Sequence, residues 1–278
     1  MQIIGEMLSY PFLVRALIGG ILVSLCASLL GVSLVLKRYS MIGDGLSHVS
    51  FGALSIALAI GWSPLKVSIP VVVLAAFFLL RITEQGKIKS DAAIALISAS
   101  ALAIGIVVTS LTTGMTTDVS SYMFGSILAM SVSDVRLSVL LSIIVLGLFL
   151  FCYNKIFAVT FDESFAKATG VAVSLYNILI AVLTAVTIVL GMRMMGAMLI
   201  SSLIIFPALT SMRIFRSFRG VVWSSGILSV VCFCVGMVAS YQFSTPAGAS
   251  VVLVNLAAFL LFSMGSVGFR FFTKKKQG

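Results

Sequence analysis

The feature that most constrains this chain is the recurrence of apolar stretches about as long as a bilayer is thick. Apolar runs bounded by polar clusters fall at 13–36, 41–60, 65–82, 91–111, 135–153, 171–190, 194–211, 220–241 and 250–269. Roughly 20 apolar residues are needed for a helix to cross a hydrocarbon core about 30 Å thick. Helix is the expected form, because an open sheet would leave backbone groups unpaired in lipid. The expected architecture is therefore an all-α integral membrane bundle of about 8–9 transmembrane helices, with residues 1–278 forming one transmembrane domain. The count turns on 171–190 and 194–211, which only Gly191-Met192-Arg193 separates; a half-helix there gives eight full spans. The run 120–131 is too short to cross and reads as a re-entrant or interfacial piece.

Composition agrees. Hydrophobic residues make up 60% of the chain and charged residues 9%, against about a quarter charged in a soluble domain. There is too little polar surface to coat a water-facing globule, so lipid is the solvent for most of the chain. The start, Met1 to Glu6, lacks the basic region and small-residue cleavage site of a signal peptide, so the first run is expected to be a retained anchor. Cys26, Cys152, Cys232 and Cys234 all fall in apolar stretches and read as small packing residues without a disulfide framework. Cys232 and Cys234, two apart on a helix, point to different faces.

The net charge of +10 sets topology. With the N-terminus outside, the five cytoplasmic regions hold 14 of the 18 basic residues, and only Arg15, Lys66, Arg136 and Arg193 fall on the other side. The positive-inside rule selects that orientation, with the C-terminus cytoplasmic. Charge spread in this way is not a nucleic-acid footprint, and no nucleic-acid partner is expected.

An ionisable group inside the hydrocarbon costs about 2.5–3.5 kcal/mol on insertion scales, which makes each one a candidate for function. Setting aside charges that can reach an interface leaves one constellation, in Met41-Ile42-Gly43-Asp44-Gly45-Leu46-Ser47-His48. Asp44 and His48 share a helix face at i,i+4 spacing. Carboxylate plus imidazole suits a borderline divalent cation such as Zn²⁺ or Mn²⁺. His48 is the only histidine. Helical rise counted from Lys37-Arg38 places it roughly 16 Å into the membrane. The alternative is a buried polar staple in which the two pair only with each other. Further ligands would have to come from a second copy, from water or from Asp118 in an outer loop. The methionines of Gly191 to Met198 are soft donors that also serve as ordinary packing residues.

The loop 159–170 resembles a short amphipathic helix: Thr160 as a candidate N-cap, Asp162 and Glu163 for the first turn, Gly170 for the stop. Phe161 and Phe165, four apart, put an apolar stripe beside the charges. The stripe suits either a lipid interface or a soluble partner that uses the aromatics as anchors. Gly20, Ser24 and Ser28 in the first run permit close helix contact, which also allows subunit pairing. No phosphate-binding G-x-x-x-x-G-K-[ST] loop and no H-E-x-x-H occur, so the chain is not expected to be an enzyme.

At these residues the chain resembles the permease subunits of bacterial ATP-binding-cassette importers of metal ions. The resemblance runs nearly end to end. It is carried by Met41 to Phe51, Tyr122 to Leu128, Phe161-Asp162-Glu163 with Ala168-Thr169-Gly170, Gly196 to Pro207, and Thr245-Pro246-Ala247-Gly248 with Ser250 to Leu253. Ser126 departs from the family, where Asp is frequent. The resemblance implies a type II importer fold in a bacterial plasma membrane and a homodimer. It also implies an extracytoplasmic metal-binding protein and a cytoplasmic ATPase dimer that hydrolyses ATP. Asp44 and His48 then match metal-pathway positions. Residues 161–170 match the coupling helix, with Phe161, Asp162, Glu163, Phe165 and Gly170 as partner-docking residues. The cargo would be a divalent metal rather than a covalently bound cofactor. The zinc permeases are the nearer match, with Mn²⁺ or Fe²⁺ as alternatives. A stand-alone proton-coupled metal transporter and a membrane scaffold are the rival classes.

Overall fold

The computed structural model describes residues 9–84, 89–112 and 132–274. Among them every element is helical: α1 Pro11–Leu36, α2 Ile42–Ala59, α3 Pro64–Glu84, α4 Ser90–Leu111, α5 Val132–Phe151, α6 Tyr153–Phe161, α7 Glu163–Ala168, α8 Val173–Met195, α9 Ala197–Ile214, α10 Phe218–Phe243 and α11 Ala247–Lys274. Nine of these are long and apolar enough to cross a membrane. All but α6 and α7 therefore correspond to the nine apolar runs. The short run 120–131, Asp118 and the Tyr122 to Leu128 motif lie outside the described residues.

α1 is central, packed against α5, α8, α9 and α10, while α2 packs against α3, α4, α8 and α9. Between helices in lipid there is little hydrophobic drive, so close backbone approach and hydrogen bonding must hold them together. The small-residue stripe on α1 does this within the chain rather than between chains. The Phe233 ring fills the space over Gly20. Ser229 Oγ donates to the Ser24 carbonyl at 3.0 Å, and Ser225 Oγ to the Ser28 carbonyl at 3.3 Å. α2 and α4 run parallel by the same device, Gly45 lying against Ile94 and Gly52 against the Ala101 carbonyl. A Cβ on Gly52 would stand 2.7 Å from that oxygen, so nothing larger fits without separating the helices.

The doubtful pair resolves into two full-length helices. α8 runs on through Met192 and Arg193 to Met195, and the whole reversal into α9 falls on Gly196, at φ 88° and ψ 163°. That conformation is open to glycine and to few others. The hairpin is pinned from both sides. Met194 and Met195 fill the spaces over Gly19 and Gly20 of α1, and Arg193 Nη2 donates to Asp134 Oδ2 at the start of α5 at 3.0 Å. Because Met195 and Phe233 meet over Gly20, the tip lies well below the outer ends of its neighbours. From Gly20 back to Pro11, α1 rises about 14 Å, and α10 rises about 15 Å from Phe233 to Phe243. Met192, Met194 and Met195 are therefore packing residues, each at most 4% exposed.

Candidate functional site

α2 is the least apolar of the nine spanning helices, with a mean hydropathy of 1.2, yet with α1 it is the most enclosed by its own chain. Along it and its two end residues, the positions that are not buried are Met41, Asp44, His48, Ile56, Leu58, Ala59 and Ile60, and all but Leu58 fall on one strip. Asp44 and His48 occupy the first two turns of the helix on that strip, with side chains 48% and 22% exposed. His48 Nε2 stands 3.6 Å from Asp44 Oδ2. That is too long for a hydrogen bond but within the reach of an ion pair. Two donors each about 2.1 Å from one ion at a tetrahedral angle stand about 3.4 Å apart, so the pair is spaced as two ligands of one metal would be. Among the described residues, no group of three or more His, Cys, Asp or Glu could hold a metal ion. Among the described residues this face therefore brings together two candidate ligands, Asp44 and His48.

The depth of the pair has a different origin from the continuous rise expected from Lys37. Residues 37–41 form a turn, closed by Tyr39 N–H on the Leu34 carbonyl at 2.8 Å and Ile42 N–H on the Tyr39 carbonyl at 3.0 Å. That turn is set back from the cytoplasmic ends of the helices. Gly43 lies against Ser201 and Ile204 of α9, and α9 continues from Ile204 about 15 Å to Ile214. Phe51 and Leu54 then pack with Met192 and Ala197. Asp44 and His48 therefore lie at the height of the first turns of α9, below the recessed hairpin tip.

The cytoplasmic element is shorter than expected and capped two residues later. Thr160 belongs to α6, where its hydroxyl donates to the Ile156 carbonyl at 2.7 Å. The N-cap of α7 is Asp162, whose Oδ1 accepts from Phe165 N–H at 2.9 Å. The stop is as read. Gly170, at φ 82°, donates to the Lys167 carbonyl and Val171 to the Ala166 carbonyl, closing a Schellman turn. Phe161 caps an aromatic group with Phe157 and Phe218, at centroid separations of 5.0–5.8 Å. Its outer face is 58% exposed, and Phe165 on α7 is 65% exposed.

Sequence spacing did not reveal the contact that ties α7 inward. Lys37 Nζ donates to Glu163 Oε1 at 2.6 Å and to Asn177 Oδ1 at 2.5 Å, and Asn177 Nδ2 donates to the same Glu163 oxygen at 3.3 Å. In the sequence Lys37 is one more basic residue at the cytoplasmic end of a span. Its partner Glu163 lies 126 residues away in sequence, beyond any local pattern.

Comparison with known proteins places this geometry. The model of the ABC 3 transport family matches residues 9–266. The chain is 28% identical to the high-affinity zinc uptake system membrane protein ZnuB of Haemophilus influenzae, over 91% of this chain and 97% of that one. It is 29% identical to the manganese import system permease protein ScaB of Streptococcus gordonii, over 91% and 90%. The structure of PsaBC from Streptococcus pneumoniae, in complex with Fab, superposes with a TM-score of 0.84 at 30% identity, covering 94% of each chain. The chain is a multi-pass membrane protein that belongs to the ABC 3 transport family, a family of transporter membrane subunits rather than enzymes.

Proposed function

We propose that the chain is the permease subunit of an ATP-driven importer that carries a divalent transition metal, zinc first, into the cytoplasm. The observation that carries this is the placing of Asp44 and His48 on the open strip of a largely enclosed helix. A carboxylate and an imidazole facing lipid would be costly. Facing a second copy across a two-fold axis, they supply two ligands each to an ion held between the copies. Relatives named for zinc and for manganese agree with a divalent cargo. Zinc is preferred because residues 186–207 and Thr245 to Gly248 resemble the zinc permeases more closely.

The mechanism follows from the two ends of the molecule. An extracytoplasmic binding protein delivers the ion above the recessed hairpin, and Asp44 and His48 receive it. A pair of cytoplasmic ATPases docks on α7 through Phe161, Phe165 and the flanking Asp162, Glu163 and Gly170. Their closure on ATP moves α7 and opens the path inward. The test is ⁶⁵Zn uptake into proteoliposomes holding the permease, its ATPase and its binding protein. We expect ATP-dependent uptake that excess Zn²⁺ suppresses more strongly than Mn²⁺ or Fe²⁺, and loss of uptake in Asp44→Ala and His48→Ala. Stronger suppression by Mn²⁺ or Fe²⁺ overturns the zinc assignment. Wild-type rates in both variants overturn the metal role of the pair, and uptake driven by a proton gradient without ATPase overturns the importer.

A further inference from the structure

Lys37 is the C-cap residue of α1 and the first residue of the turn that leads into α2. Its side chain is 8% exposed, and its ammonium is held by two polar groups of the cytoplasmic half: Glu163, first residue of α7, and Asn177, in the first turns of α8. A buried ammonium is costly unless it is paired and hydrogen-bonded, and charge-assisted bonds of this length are among the strong ones. The three side chains therefore hold one geometry, while the rest of α7 is largely exposed.

What Lys37 is attached to gives the contact its meaning. Two backbone hydrogen bonds stiffen the turn 37–41, Arg38 adopts the left-handed conformation at φ 63°, and Asp44 follows in the first turn of α2. A shift of Glu163 is thus passed through Lys37 to the N-terminus of the helix that carries Asp44 and His48.

We propose that Lys37, Glu163 and Asn177 form a clasp that transmits movement of α7 to α2, with Lys37 as a positioning residue that never touches the ion. The clasp rests on the permease reading, since it presumes that a partner moves α7. A weld that only held the fold would make a different prediction, because its loss would weaken assembly and every activity together.

The experiment measures metal uptake and ATP hydrolysis in parallel on the reconstituted complex, for wild type, Lys37→Met, Lys37→Arg and Asn177→Ala. In Lys37→Met and Asn177→Ala, ATPase co-purification and hydrolysis should stay near wild type. Ions carried per ATP should fall by about tenfold, within the usual range of coupling between sites. Lys37→Arg, which keeps a charged donor, should restore most of that ratio. Adding Asn177→Ala to Lys37→Met should lower the ions carried per ATP no further than Lys37→Met alone, as expected for partners in one network. An unchanged ratio in Lys37→Met, or a parallel fall of uptake, hydrolysis and co-purification, refutes the clasp and leaves the permease standing. Absence of any ATPase from the wild-type preparation refutes both.

Discussion

A carboxylate and an imidazole on a helix that its own chain nearly encloses are tolerable only where water, an ion or another protein surface meets them. Asp44 and His48 are partly exposed and 3.6 Å apart, so removing either leaves no buried partner stranded. Substitutions away from buried features change stability by about 0.5 kcal/mol or less. Loss of a metal ligand should cost at least the roughly 10- to 100-fold seen when only a supporting outer-shell partner is lost. Asp44→Asn and His48→Gln are therefore expected to reduce zinc uptake by that factor or more, with melting temperatures in detergent unchanged. A fall in melting temperature with uptake preserved would return the pair to a structural role. The spacing of these two residues was readable from sequence because i,i+4 geometry is local. Their height in the bundle was not, because it depends on how far the 37–41 turn is set back, and only packing against α9 determines that.

At the scale of elements, the Gly196 reversal decides whether α8 and α9 count as two helices or one and a half. A residue forced into a sparsely populated backbone region costs about 1–3 kcal/mol. Gly196→Ala is therefore expected to lower thermal stability in detergent by that amount. Gly147→Ala, whose added Cβ meets nothing within 4 Å on α5, should be neutral or slightly stabilising. Equal melting temperatures for the two variants would mean that Gly196 is not strained. Sequence showed the helices themselves, because about 20 apolar residues in a row are a strong signal. It misplaced this break by several residues because Gly191 and Arg193 look like punctuation. In fact Gly191 is packed under Ile200 and Val23, and Arg193 is bound to Asp134. The cap of α7 was missed for a related reason. Thr160 and Asp162 are both good N-caps, and only the continuation of α6 to Phe161 chooses between them.

At the scale of the whole molecule, two polar contacts bracket the α8–α9 hairpin: Arg193 with Asp134 at its tip, and the Lys37 clasp near the start of α8. Between them lies an open strip on which the described residues bring together two candidate ligands, too few for a four-coordinate ion. If the missing ligands come from a second copy, the ion belongs to the pair rather than to either chain. That has a quantitative consequence for mixed assemblies. Co-expression of wild-type chains with differently tagged Asp44→Ala/His48→Ala chains, followed by sequential affinity capture, isolates complexes holding one of each. A shared site predicts that such complexes carry metal at a few per cent of the wild-type rate, because one ion loses half of its ligands at once. Two independent pathways predict about half. Measured on vesicles with matched ATPase content, a value near half would mean that each chain transports alone and that its remaining ligands lie within its own sequence.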